Sequence, residues 1–254
     1  ITDEIFNSIL PTYQLERAYD WYSSHGSPDE QVQILIYLGR SYFADGDYDK
    51  AMSIYTNALD IAEKNKLNNL TGYIYDYIGD LYREKFMRTE AIKKYKAAAE
   101  CFKKEKNTDS YACALRDVGR EYAEMDSLSH ALHILIIADS VANKTKNIEV
   151  TASINNALGN IYAMQNKYDK AEKYLLKALL TGREKMPDYV ALIDLYTTSG
   201  SINKAKELLS KIPQDNPQYT CSIKYLYYQI YNAEENDKEA LVNLEEYVNM
   251  VDSI

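Results

Sequence analysis

Glycine recurs at positions 39, 79, 119 and 159, each forty further along the chain than the one before. Each follows a large aliphatic residue and precedes a tyrosine by three: Leu38-Gly39-Tyr42, Ile78-Gly79-Tyr82, Val118-Gly119-Tyr122 and Leu158-Gly159-Tyr162. A fixed period of this length restricts the chain to a stack of like units, because one such unit cannot bury its apolar face alone and must cover it with the next.

Residues 158–178, LGNIYAMQNKYDKAEKYLLKA, show what a unit is. Leu158, Gly159 and Tyr162 share one face of a helix, and Ala171, Leu175 and Ala178 share one face of a second. Between them Gln165-Asn166-Lys167 is polar, and Asn tolerates the left-handed backbone that a tight helix-to-helix turn needs. Gly159 and Ala171 are small where two antiparallel helices would come closest. The same register runs through Gly39, Tyr42, Gly46, Ala51, Tyr55 and Ala58, then through Gly79, Tyr82, Ala91, Tyr95 and Ala98. It continues in a more degenerate form through Gly119, Tyr122, Ala131, Leu135 and Ala138. After the fourth unit the step shortens, as the second-helix alanines Ala171, Ala205 and Ala240 show. The fifth unit has Ile193 where the first four have Gly, and the sixth is weaker still, with Tyr227, Tyr228, Tyr231, Ala240, Leu244 and Tyr247.

At these residues the chain resembles the tetratricopeptide repeat family, over about residues 31–250. That motif sets a large residue, Leu, Gly and Tyr on a first helix, then Ala, an aromatic or Leu, and Ala on a second, with Pro near the end. The resemblance implies an all-α fold, a right-handed α-solenoid of antiparallel helix pairs with about six repeats. The array is expected over 31–254, with units near 31–67, 68–107, 108–147, 148–185, 186–217 and 218–254. Residues 1–30 are expected to form an incomplete leading unit, with Leu15, Ala18, Tyr19 and Tyr22 on its helical face. Pro28 with Asp29 and Glu30 suits a helix start, and Asp47, Ser127 and Ser201 stand where they would cap second helices. After Tyr247 only VNMVDSI follows, with no polar capping helix. The natural chain is therefore expected to continue past Ile254, or the last face to be covered by another copy in a homo-oligomer.

Composition removes several classes of function. A net charge of −9 argues against a nucleic-acid partner, which needs concentrated Lys and Arg to neutralise phosphates. No apolar run approaches the roughly 20 residues that span a bilayer. Cys101, Cys113 and Cys221 sit inside helical patterns and are expected to be buried small hydrophobes, not a disulfide or a metal site. His130 and His133 are three apart on a second helix, but no further ligands stand near them in the sequence, so no metal is expected. Neither a phosphate-cradling Gly-rich loop nor a nucleophile elbow occurs. The chain is expected to have no cofactor and not to be an enzyme.

Binding residues follow from the resemblance, which implies that first helices line the concave groove, notably three before and one after the motif Gly. Those positions are Ile36 and Arg40, Asp76 and Asp80, Arg116 and Arg120, Asn156 and Asn160, each pair on one helical face. Counting on gives Val190 and Asp194, then Tyr225 and Gln229. Such a polar ladder of changing sign suits an extended peptide: Asn amides pair with its backbone, while Arg and Asp read its charges. Asp76 and Asp80 equally suit ion pairs with Arg116 and Arg120 that would only staple neighbouring repeats. Most of the 25 tyrosines belong to the repeat, and Tyr42, Tyr82, Tyr122, Tyr162, Tyr196 and Tyr231 are expected in the core. Tyr37, Tyr73 and Tyr77 fall on the groove side, beside the Asp pair.

Two functions of different class fit this sequence. One is an interaction module that binds a protein or extended peptide segment. Long repeats, Tyr-rich first helices and the tail YVNMVDSI are similar to envelope-associated regulators of Gram-negative gut anaerobes, in which a repeat array outside the inner membrane precedes a membrane helix and an output segment. That resemblance implies a sensory or interaction domain in the periplasm or cell envelope rather than the cytoplasm. The other is a self-assembly module with no ligand in its groove.

Overall fold

The computed structural model describes residues 11–183 and 185–252, and within them the chain is entirely helical, with thirteen helices and no strand. It divides into two compact units, Ile1–Val141 and Ala142–Ile254. The first holds α1 (Thr12–His25), α2 (Pro28–Ala44), α3 (Tyr48–Lys64), α4 (Asn68–Glu84), α5 (Arg88–Lys104), α6 (Thr108–Glu124) and all but the last residue of α7 (Leu128–Ala142). The second holds α8 (Ile148–Met164), α9 (Tyr168–Thr181), α10 (Met186–Thr198), α11 (Ile202–Leu209), α12 (Thr220–Ala233) and α13 (Asp237–Val251). In each unit consecutive helices pack as pairs, the arrangement of an α-solenoid.

The period of forty in the sequence is two equal backbone steps, because α2 to α9 begin at 28, 48, 68, 88, 108, 128, 148 and 168. From α2 to α6, and again in α8, the helix runs 17 residues and leaves three for the turn. The turns repeat as well. Gly46, Lys66, Phe86, Lys106, Asp126 and Asn166 all take left-handed backbone, with φ between 56° and 77°. The next residue's N–H then bonds a carbonyl five residues back: Asp47 to Tyr42 at 2.9 Å, Met87 to Tyr82 at 2.8 Å, Lys167 to Tyr162 at 2.9 Å. This six-to-one bond satisfies a carbonyl that the helix end would otherwise orphan. Gly46 meets the left-handed position without a Cβ, whereas Phe86 and Asp126 hold it against a steric cost of about 1–2 kcal/mol each.

What pairs the helices is a glycine under a side chain. A Cβ on Gly39 would lie 2.3 Å from the Tyr55 ring, one on Gly79 2.5 Å from Tyr95, one on Gly119 2.7 Å from Leu135, and one on Gly159 2.5 Å from Leu175. Each partner stands sixteen positions on, at the middle of the second helix. Tyr55 and Tyr95 are thereby buried to 1% and 0% exposure. The tyrosines of the first helices, expected in the core, are instead half-buried, apart from Tyr196. Their rings lie beside the first turn of the second helix, under Lys50 on Tyr42 at 5.0 Å, Lys170 on Tyr162 at 5.5 Å and Lys204 on Tyr196 at 5.2 Å.

α1 buries Leu15 against Ile34 and Leu38, with Ala18, Tyr19 and Tyr22 packed around them. Residues 1–10 of that leading segment lie outside the described residues. Ser27 caps α2 in a full capping box with Glu30, and Asp47 caps α3 through the Lys50 N–H at 3.2 Å. Ser201 does not cap α11, because its hydroxyl takes a hydrogen bond from Ser199 at 3.4 Å and not from the helix. All three cysteines are free and half-buried, more open than the sequence suggested.

Gly79→Ala should lower stability in urea by about 1–3 kcal/mol, because its Cβ must displace a fully buried ring. Gly46→Ala, with no atom within 4 Å of the added carbon, should cost only the left-handed penalty of about 1–2 kcal/mol. Equal or reversed losses would show that the ring contact does not govern the pairing.

Candidate functional site

The first-helix positions singled out in the sequence have two fates. In the first unit they join a charge cluster that closes mostly on itself. Tyr95 donates to Asp80 Oδ1 at 2.8 Å, and Arg83, one turn along α4, pairs with the same oxygen at 2.9 Å. Arg116 turns its fork onto its own neighbour, Asp117, with Nε on Oδ1 at 2.9 Å and Nη2 on Oδ2 at 2.8 Å. Arg120 approaches Asp117 at 3.7 Å. The ion pairs that the sequence suggested, Asp76 and Asp80 with Arg116 and Arg120, are thus replaced by pairs within one helix, where short reach orders fewer side-chain torsions. Asp117, Arg83 and Tyr95 were not among the sequence candidates, although Asp117 lies next to Arg116 and Arg83 is three on from Asp80.

Asp76 is the exception in this cluster. Among the described residues no hydrogen bond or ion pair reaches it, and burial, then Asp117 and Asp80 nearby, push its carboxyl up to about 8. At neutral pH it is therefore mostly a neutral acid. Burial likewise raises Asp80, against the pull of Arg83. Arg40 is exposed and lies with its guanidinium 5.8 Å from the Tyr77 ring, which in turn stacks on Tyr55 at 5.6 Å. Ile36 is core, at 7% exposure. Tyr73 is spent between repeats: its hydroxyl meets Ser110 at 3.0 Å and accepts from Asn107 at 3.3 Å, while its ring meets Phe102 at 4.9 Å.

In the second unit the same count leads to an open concavity of about 760 Å³. Asn156, Asn160, Val190, Asp194, Tyr225 and Gln229, all six positions given by counting along the repeats, line it. Met186, Ala191 and Ser222 are further parts of its wall. Its volume falls in the range of roughly 300–1,000 Å³ that small-ligand sites occupy. The Asn amides are partly committed: Asn156 donates to buried Asp188 at 2.7 Å, and Asn160 donates to Asn156 at 3.1 Å. Asn156 is 7% exposed and acts as a brace between α8 and α10, while Asn160 stands exposed at the rim. Asp188 escaped the count because it sits in the first turn of α10, off the positions the motif defines. No group of His, Cys, Asp and Glu suited to a metal ion occurs among the described residues. No helix among them is long and apolar enough to cross a membrane.

Comparison with known proteins agrees with this architecture. Residues 30–104 and 151–186 match tetratricopeptide repeat models. No curated protein matches the chain. A tetratricopeptide repeat protein of Parabacteroides merdae superposes with a TM-score of 0.67 at 17% identity, over 94% of this chain and 93% of that one. BtubC from P. vanneervenii gives 0.67 at 18% identity, over 79% and 87%. A Rap protein complexed with competence and sporulation factor gives 0.73 at 17% identity, over 95% and 70%. At these identities the likeness is one of fold. The chain matches tetratricopeptide repeat models over those two stretches and is an all-α helical-repeat protein.

The folded chain holds the Asp76 proton to about pH 8, whereas an unfolded chain releases it near about pH 4. The native state then binds more protons across that window, so this carboxyl makes stability fall as pH rises through it. Asp76→Asn should remove that part of the slope, leaving the variant more stable than the parent at pH 8.5 and close to it at pH 4 in urea titrations. Parallel pH profiles would contradict the assignment.

Proposed function

We propose that this chain is a binding module that holds an extended protein or peptide segment in the concavity of its second unit, and that it is not an enzyme. The observation that carries the reading is the convergence of six repeat-defined positions on one opening, with a wall that mixes apolar, amide and aromatic groups. Such a wall can seat side chains while Asn160 and Gln229 meet backbone groups. The Rap protein complexed with competence and sporulation factor supports this, being a chain of the same fold with a bound factor. In the first unit Arg40, Tyr77 and Arg120 would form a second contact surface, with Asp76, Asp80 and Arg116 as the charge cluster behind it. The wider role, the sensory or interaction part of an envelope-associated regulator, is supported by the sequence resemblance described above.

Ser222→Trp would fill the concavity without touching the glycine–ring contacts. A mixture of short random-sequence peptides with blocked ends should be retained by the parent chain and about tenfold less by the variant, as read by mass spectrometry. No retention by the parent, or equal retention by both, would reject the reading.

A second reading, assembly of copies with nothing in the concavity, is favoured by α13. Leu241, Val248 and Val251 fall on one helical face and are 56%, 44% and 45% exposed. Light scattering separates the two: a mass that rises with concentration in the parent and not in Leu241→Lys supports assembly, and a constant monomer mass dismisses it.

A further inference from the structure

We propose that the concavity of the second unit selects a cationic side chain, an arginine or lysine of the bound segment, and holds it on Asp194, whose carboxylate Gln229 positions. This rests on the concavity being a polypeptide site and narrows what it takes. Asp194 is the only Asp, Glu, Lys, Arg or His in the lining, so the opening carries negative charge with no internal counter-ion. Among the described residues no cation pairs with it, and its carboxylate accepts one hydrogen bond, from Gln229 Nε2 at 3.1 Å.

That bond decides which way the Gln229 amide faces. Reversed, its oxygen would stand against the carboxylate, two acceptors face to face. With the nitrogen on Asp194, Gln229 Oε1 is left buried and without a donor. A buried acceptor in that state is costly, and the bond to the Asp194 carboxylate is what offsets it. Gln229 thereby occupies one acceptor site of Asp194 and leaves the rest of that exposed carboxylate without a donor in the lining. A guanidinium with five N–H groups, or an ammonium with three, can fill those remaining sites, whereas an acidic side chain offers no donor and is repelled. Tyr225 stands one helical turn before Gln229 on the same face of α12, braced by Tyr247 at 5.2 Å and Tyr228 at 6.0 Å. Its ring offers the apolar and cation-attracting surface that the stem and head of such a side chain need.

The test uses the same blocked random-sequence peptides and the parent, Asp194→Asn, Ser222→Trp and Glu245→Gln chains, with folding checked by thermal melts. Glu245 is exposed on α13 and controls for the general attraction of a chain of net charge −9 for basic peptides. Peptides retained by the parent should be enriched in Arg and Lys about fivefold over the input. Asp194→Asn should abolish the enrichment while still retaining peptides, and Glu245→Gln should keep it. Retained peptides without that enrichment, or enrichment that survives in Asp194→Asn or is lost in Glu245→Gln, would overturn the cation proposal and leave the concavity as a peptide site. Failure of the parent to retain any peptide, or undiminished retention by Ser222→Trp, would remove the underlying site as well.

Discussion

Four glycines set the geometry of this chain, because a buried side chain from the paired helix occupies the space their Cβ would need. Once Tyr55 lies on Gly39 and Tyr95 on Gly79, the two helices of a pair are fixed in approach and in register. The first helix can then bury little else at that height than the residues beside the glycine. Positions three before and one after it are turned away from the partner helix and become available to neighbours, solvent or ligand. Equal backbone steps, closed by the same six-to-one turn bond everywhere from α2 to α9 except between α7 and α8, carry that exposure from one repeat to the next.

Availability by register is not availability in fact, and electrostatics decides between them. In the first unit the exposed register is rich in charge, and charges on one helix find each other at three residues' spacing before they find a partner elsewhere. Asp80, Arg116 and Asp117 are consumed in this way. Asp76, left without a partner among them, keeps its proton because burial beside two other carboxylates costs more than neutrality does. In the second unit charge is sparse, and the amides of Asn156 and Asn160 bond inward toward Asp188. What remains open there is the Asp194 carboxylate.

The helices and their pairing were legible because both derive from spacing: Gly39 to Gly159 gives the period, and the small and aromatic positions give the faces. Asn166 could be read as a left-handed turn residue, but Phe86 and Asp126 could not, since there the register of the long helices on either side overrides an unfavourable local preference. The fate of the recurring tyrosines was misread for a similar reason. Tyr42 and Tyr162 mark the turn, with carbonyls that close it and rings that lie under a lysine, whereas the deepest rings belong to Tyr55 and Tyr95 on the second helices. Counting placed six residues around the concavity, yet Asp117 and Asp188 lay off the count, because hydrogen bonding between side chains does not follow the repeat.

The concavity opens where the repeat is least regular, and the irregularity accounts for it. Ile193 replaces the motif glycine and is itself fully buried, so α10 cannot receive a partner side chain, ring or leucine, as the earlier first helices do. Its partner α11 is short, ending at Leu209, and the chain then passes through Pro213 and Pro217 before α12 begins at Thr220. A proline-bearing connection cannot extend a helix, and the residues before each proline are held out of the helical region. Gln218, Tyr219 and Ser222 from this connection and the start of α12 therefore enter the wall, where a full second helix and short turn would have continued the stack. The regular register of α8 supplies one side of the wall, and the departure from regularity between α10 and α12 supplies the opening. A binding surface built this way needs no residue to break the packing rules of the units before it.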